Sequence, residues 1–251
     1  MGTTLTAVVV FGCLVGSVLI GITFRRLLPE NYLTEDSKDT IKLTMGLLAT
    51  MSALVLGLLV SSAKGSYDTE RTEVIQMAAK VAFLDRMLVL YGPEAADARV
   101  RFEDAVKESV RRMWPEEAQQ PAGLAPNTEA GNVLYSIVQE LSPQNDLQRK
   151  LKEQATSLAL ELGQLRSLLV AESVPSISTP MLIIVVSWLT IIFIGFSVLA
   201  PRNMTAIAAL LVSALAVSAA IFLILDLDQS FSGTIRIFSE LMLNAIGQFG
   251  K

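Results

Sequence analysis

The sequence predicts an all-α polytopic membrane protein with four transmembrane helices in two pairs and a helical extramembrane domain between spans two and three. The first observation is four apolar runs: Leu5 to Phe24, Ile41 to Ser61, Met181 to Ala200 and Met204 to Leu225. Each run has about 20 residues, the length that a helix needs to cross a hydrocarbon core of about 30 Å. The second observation is composition. With 52% hydrophobic and 18% charged residues, a soluble chain of 251 residues would have more apolar surface than it could bury.

The four runs divide the chain into parts. We expect a transmembrane hairpin over residues 1–64, with spans at about 5–24 and 41–61, and an extramembrane helical domain over 65–178. A second hairpin covers 179–226, with spans at about 181–200 and 204–225, because Pro201, Arg202 and Asn203 form too short a link for anything else. The tail, 227–251, has the spacing of an amphipathic helix and is expected to lie along the interface or under the bundle.

Residue usage argues against several classes of function. The chain has no histidine, and its one cysteine, Cys13, lies within the first apolar run, so histidine-based catalysis and His or Cys metal sites are not expected. There is no Gly-rich phosphate loop and no Gly-x-Ser-x-Gly elbow, which predicts that the protein is not an enzyme. The net charge of -4 and the interleaved charges argue against nucleic acid as a partner. The acidic residues of the middle segment are interpreted as solvated helix faces: Asp85, Glu103, Asp104 and Glu108.

Basic residues near the span ends predict the orientation in a plasma (inner) membrane. Four lie between spans one and two, and Arg202 lies between spans three and four, which favours cytoplasmic short loops with the middle domain and both termini outside. The four are Arg25, Arg26, Lys38 and Lys42. The margin is small because Lys64, Arg71 and Arg166 flank the other side of the membrane.

The middle segment is predicted to contain four helices. Apolar residues recur every three or four positions from Val74 to Leu88, on a helix that continues out of span two, and the helix is broken at Tyr91 to Glu94. Further helices are expected up to Trp114, over Val133 to Leu141 and from Leu147 to Leu169, with a loop at 121–127. These faces are interpreted as the core of a bundle; the last is narrow enough to pack also against a second copy as a coiled coil.

Span two has a row of small residues at intervals of four, preceded by a glycine. Such a row lets another backbone approach closely, which is how helices associate in lipid. Alternatively, the row lines a pore in a symmetric oligomer, where it leaves room for water or an ion. These pore-lining or helix-packing residues are Gly46, Ala49, Ala53, Gly57, Ser61 and Gly65.

Two carboxylates, Asp226 and Asp228, end the fourth apolar run. One interpretation is a solvated cap at the membrane edge, where a charge is easily hydrated. In a ring of subunits the same pair would concentrate cations or supply oxygen ligands to a divalent ion. We treat both as candidate ion-binding residues.

Several of these motifs together resemble an uncharacterised bacterial membrane family, a domain of unknown function described as bestrophin-like. The resemblance covers nearly the whole chain. Its motifs are Leu28-Pro29-Glu30, Asp36-Ser37-Lys38-Asp39, Lys42 to Gly46, Ala53 to Leu59, Leu84-Asp85-Arg86, Tyr91 to Glu94 and Asp226-Leu227-Asp228 with Phe231-Ser232-Gly233.

The resemblance to bestrophins implies a homo-oligomeric channel, commonly a pentamer, with its pore lined by span two and a calcium site after span four. Asp226 and Asp228 resemble that site by position, so the one cofactor expected is a divalent cation such as calcium. The long acidic run of the calcium site and the aromatic pore constriction have no counterpart here. Bestrophins place the middle domain in the cytoplasm, contrary to the charge count, so both orientations stay open.

Two hypotheses for function follow. The first is an oligomeric ion channel whose partners are the lipid bilayer, inorganic ions and copies of itself. The second is a non-conducting, membrane-anchored interaction or sensor protein. The second requires that the Val74 to Leu88 face or the Leu147 to Leu169 face remains exposed to bind a partner.

Overall fold

The computed structural model describes residues 2–27, 34–114, 128–172, 176–201, 203–231, 234, 235, 237 and 242. Within these ranges every regular element is helical, as predicted. The helices are α1 Thr3–Leu27, α2 Glu35–Tyr91, α3 Ala96–Met113, α4 Thr128–Gln139, α5 Asp146–Glu172, α6 Thr179–Leu199 and α7 Met204–Leu227. The predicted loop at 121–127 lies outside the described residues.

Four of these helices, α1, α2, α6 and α7, are long and apolar enough to cross a membrane. Their ends match local signals in the sequence. Asn203 caps α7 by accepting a hydrogen bond from the Ala206 amide at 2.9 Å, and Pro180 occupies the first turn of α6. The 57 residues of α2 form one continuous helix, roughly 85 Å long at 1.5 Å per residue. It ends at Tyr91, and the next residue, Gly92, has a φ of 114°, a conformation that favours glycine.

The chain forms two compact units. The membrane unit contains residues 1–65 and 176–228, and the helical unit contains 66–175 and 229–251. Because α2 contributes to both, the predicted continuation of span two beyond the apolar run is confirmed.

In the membrane unit, α1 packs against both α6 and α7, whereas α6 and α7 contact each other little. The centre of this packing is apolar, with Leu14 of α1, Val185 of α6 and Ala214 of α7 all fully buried. α2 adds one face through Leu59 and Ala63. The short link between α6 and α7 therefore does not make them each other's main packing partner.

Two glycines allow the closest helix contacts. A Cβ added to Gly21 of α1 would lie 2.5 Å from the Ser197 Cβ and 2.8 Å from the Ile194 carbonyl oxygen of α6. A Cβ added to Gly195 on α6 would lie 2.5 Å from the Met45 Sδ of α2. Helices in lipid gain little hydrophobic energy by associating, so such close approach is a main source of attraction.

The core of the helical unit is built from the predicted apolar faces. The α2 residues that recur every three or four positions from Val74 to Leu88 are buried, as is Phe102 of α3. In α5, Ala155, Leu162 and Leu169 point into the same core. The α5 stripe is thus largely occupied within its own chain.

Part of the carboxy-terminal tail contributes to this core. Phe231, Ile237 and Met242 are all buried in it. The indole nitrogen of Trp114 donates a 2.7 Å hydrogen bond to the Ile237 carbonyl, and its ring meets Phe231 edge-on with centroids 6.0 Å apart. These three tail residues are therefore part of the core of the helical unit.

Asp85 corrects the interpretation of the middle-segment acids as solvated faces. Its side chain is only 8% exposed and accepts two hydrogen bonds from Arg99, from Nε at 2.6 Å and from Nη2 at 3.0 Å. These bonds raise the pKa of the Arg99 guanidinium further. Sequence periodicity missed the pair because Arg99 lies on a different helix, which only the fold brings into reach.

We expect Gly21→Ala to lower the stability of the membrane unit by about 1 to 3 kcal/mol, because the added methyl group would overlap the α6 backbone. The matched control is Gly16→Ala, since a Cβ at Gly16 meets no atom within 4 Å. Gly16→Ala should be neutral or slightly stabilising through helix propensity. The stability of both variants is measured by unfolding the full-length protein in detergent. Equal unfolding midpoints for the two variants would contradict the close contact at Gly21.

We expect Asp85→Asn to destabilise the helical unit by about 1.5 to 3 kcal/mol, because it weakens a shielded, two-bond ion pair. Glu108→Gln is the control, because the Glu108–Arg112 pair is about half exposed and should be worth less than about 1 kcal/mol. Trp114 fluorescence in a Trp188→Phe background reports this unit, since the chain has two tryptophans. If the two substitutions have equal effects, the burial argument is wrong.

Candidate functional site

The row of small residues on α2 is not covered by the rest of the chain. Ala49 is half-buried, and Gly46, Ala53, Gly57, Ser61 and Gly65 are exposed. A Cβ added to any of the three glycines would meet no neighbouring atom within 4 Å among the described residues. Close packing of this row against another described helix of the same chain is therefore not present.

The row also winds around α2. Each residue turns an α-helix by about 100°, so a step of four residues advances about 40° beyond a full turn. From Ala49 to Gly65 the row moves through about 160°. The row from Gly46 to Gly65, called the ridge from here on, therefore runs obliquely across α2 and not parallel to the helix axis. A partner helix could follow the ridge only by crossing α2 at an angle.

The opposite side of α2 faces its own unit. Met45, Ser52, Leu59 and Ala63 are buried, at spacings of seven, seven and four that keep them on one side of the helix. Even so, α2 is the least buried of the four spans. Its most apolar window is 17% buried, against 28% for α1 and α6 and 22% for α7. α2 therefore has the most surface left for lipid or for another subunit.

The two carboxylates at the end of α7 have different surroundings. Asp226 is 1% exposed, whereas Asp228 receives hydrogen bonds from the chain just before α6. Its Oδ1 accepts from the Ser176 amide at 3.1 Å and from the Ser176 hydroxyl at 2.5 Å. Asp228 thus ties the end of α7 to the start of α6.

A cavity that the sequence did not indicate lies at the other end of these helices. It has a volume of about 230 Å³ and lies between the end of α1, the end of α6 and the start of α7. Its lining includes Arg25 and Arg26, which the sequence had used only to predict orientation. The signal that could have found it is the cationic end of span one together with the polar turn at 200–203.

When the sequence is compared with known protein families, it matches one of them. The bestrophin-like domain matches residues 11–241, which is most of the chain. The chain belongs to the bestrophin-like family. No curated protein and no solved structure matches it. With four apolar helices, this bestrophin-like chain is a multi-pass membrane protein.

The described residues of a single chain do not by themselves provide a calcium site. Ca²⁺ takes six to eight oxygen ligands, about half of them commonly from carboxylates. Among the described residues, no group of three or more His, Cys, Asp or Glu side chains lies close enough to hold a metal ion. Both Asp228 oxygens already face donors of residues 176 and 177. We therefore derive no step that uses calcium, and the divalent cation stays a prediction.

If Asp228 is a structural tie in this bestrophin-like protein, Asp228→Ala should lower the stability of the membrane unit by about 1 kcal/mol, as loss of a capping carboxylate does. Asp228→Asn should lower the stability of the membrane unit by a smaller amount, because the amide oxygen of asparagine can still accept a hydrogen bond. Unfolding is measured in detergent with a calcium chelator and again with added calcium. A loss that appears only with calcium would instead assign Asp228 to a metal site.

Proposed function

We propose that this protein is an ion channel formed by several copies of the chain around a pore lined by α2. The observation that carries the proposal is the uncovered ridge of small residues on α2, in the span that its own chain buries least. Membership of the bestrophin-like family supports it.

The ridge suits a conducting surface because it leaves room and offers oxygen atoms. Its three glycines have open space where a side chain would be. Thr50, on the same exposed side, donates its hydroxyl proton to the Leu47 carbonyl at 2.7 Å, so its oxygen keeps lone pairs for water or a cation. Hydroxyl and small residues along a helix are compatible with a hydrated path.

The proposed arrangement has spans one and two as the first pair, spans three and four as the second, and the helical unit outside the bilayer. The helical unit carries paired surface charges, for example Arg101 with Glu140, which are poorly suited to lipid. We assign the protein to the plasma membrane, and the short-loop arginines favour cytoplasmic short loops. Inorganic ions are the proposed substrates.

The interaction hypothesis requires an exposed apolar face on α2 or α5 of the helical unit. Some apolar side chains of α2 and α5, such as Phe83, Leu147 and Leu160, are exposed, but most of the face that the interaction hypothesis needs is buried. Val74, Leu84 and Leu88 are buried, and so are Ala155, Leu162 and Leu169. These side chains hold the unit together, so no specific observation favours partner binding through them.

The channel proposal predicts that Gly57→Leu abolishes ion flux in liposomes that contain the full-length protein, because a leucine side chain would fill space that glycine leaves open on the proposed pore surface. The matched control is Gly12→Leu, since Gly12 is also exposed, lies on membrane-spanning α1 and has no atom within 4 Å of an added Cβ. Gly12→Leu should keep wild-type flux.

Assembly is measured on the same samples by mass in detergent. A channel blocked at the pore should keep its oligomeric state when Gly57→Leu stops the flux. Folded wild-type protein that passes neither anions nor cations, with or without calcium, would refute the proposal. A Gly57→Leu variant that dissociates into single chains would assign the ridge to subunit contact and not to the pore.

A further inference from the structure

We propose that the cavity between the ends of α1 and α6 and the start of α7 binds the phosphate group of an anionic phospholipid. The cavity lies wholly within the membrane unit. This inference concerns lipid binding and does not depend on whether the chain conducts ions.

The charges around the cavity are unbalanced. Arg25 and Arg26 line it, and none of the described lining residues is acidic. The carboxyl ends of α1 and α6 contribute roughly half a negative charge each, and the amino end of α7 contributes roughly half a positive charge. Two full guanidinium charges exceed these partial charges, so the cavity is positive.

Arg25 supplies an independent observation. Its Nη1 atom is buried and has no hydrogen-bond partner among the described residues. A buried donor without an acceptor costs about 1 to 3 kcal/mol, and more when it carries charge. An anion in the cavity would supply the missing acceptor, and the planar guanidinium fork matches phosphate oxygens.

The start of α7 offers further donors. Asn203 lines the cavity; its Oδ1 caps the helix by accepting from the Ala206 amide, and its side-chain amide also carries donor hydrogens. The first amides of a helix as long as α7 also point out of its amino end. Arginines, an amide side chain and a helix start thus converge on one cavity.

The rest of the lining identifies a lipid as the source of the phosphate. Ile22, Ile207 and Leu210 add apolar walls next to the arginines, at the ends of helices long enough to span a bilayer. A free phosphate ion would make no apolar contacts with these walls, whereas the glycerol and first methylene groups of a phospholipid would pack against them. Basic pockets between membrane helices are a recognised form of lipid headgroup site. At about 230 Å³, the cavity is below the usual 300 to 1,000 Å³ of pockets for whole small molecules, as expected for a headgroup alone.

The test measures lipid binding to the full-length protein in detergent micelles by native mass spectrometry. The probes are phosphatidylglycerol, phosphatidylcholine and inorganic phosphate, each titrated separately. We expect phosphatidylglycerol to bind more tightly than phosphatidylcholine, because only the former keeps a net negative charge. Inorganic phosphate should bind more weakly than phosphatidylglycerol. If inorganic phosphate binds as tightly as phosphatidylglycerol, the lipid assignment is wrong.

Arg26→Gln is the decisive variant, because Arg26 is exposed and its loss should not disturb folding. We expect its Kd for phosphatidylglycerol to rise about tenfold, the effect of losing about 1.4 kcal/mol from a charged hydrogen bond. Arg25→Gln should weaken binding at least as much. The control is Arg71→Gln, which removes an exposed cation from the part of α2 beyond span two and leaves the residues that line the cavity unchanged.

Arg71→Gln should leave the affinity unchanged. An Arg26→Gln protein that binds phosphatidylglycerol as tightly as wild type overturns the proposal. Equal weakening by Arg26→Gln and Arg71→Gln would also overturn it, because general charge attraction would then explain the binding.

Discussion

The contact between α1 and α6 at Gly21 is the constraint on which the membrane unit depends. Lipid tails are as apolar as leucine, so helices in a bilayer associate through close packing and not through burial from water. At Gly21 the α6 backbone comes so near that a single methyl group would overlap it. Because α1 packs on both α6 and α7, it takes the central position and leaves α2 towards the outside of the unit.

This arrangement connects the two proposed sites. With α1 central, the ridge from Gly46 to Gly65 is left open for copies of the chain. The same packing brings the end of α1 beside the turn before α7, where Arg25 and Arg26 meet the cap at Asn203. The proposed pore ridge and the proposed phosphate cavity thus both depend on the central position of α1, although they lie on different helices.

Asp228 and Asp85 show how the fold changes the role of an acid. Both looked like solvated or ion-binding carboxylates in the sequence. In the structure, Asp228 accepts hydrogen bonds from Ser176 and ties two spans together, and Asp85 forms a shielded pair with Arg99. Their partners lie 52 and 14 residues away in the chain. No spacing rule within one helix can indicate such contacts.

The sequence by itself determined the four spans, the helical middle segment, the break at Gly92 and the family, because run length, periodicity and turn chemistry are local properties. Only the tertiary structure decided which helix is central, that the small residues of α2 are uncovered, and that two arginines share a cavity. Those features depend on which helix faces contact each other. A repeat of small or apolar residues indicates a contact surface but does not indicate which helix packs against it. The row on α2 illustrates this, since its spacing indicated a surface for close contact, whereas the packing of the described helices leaves its three glycines uncovered.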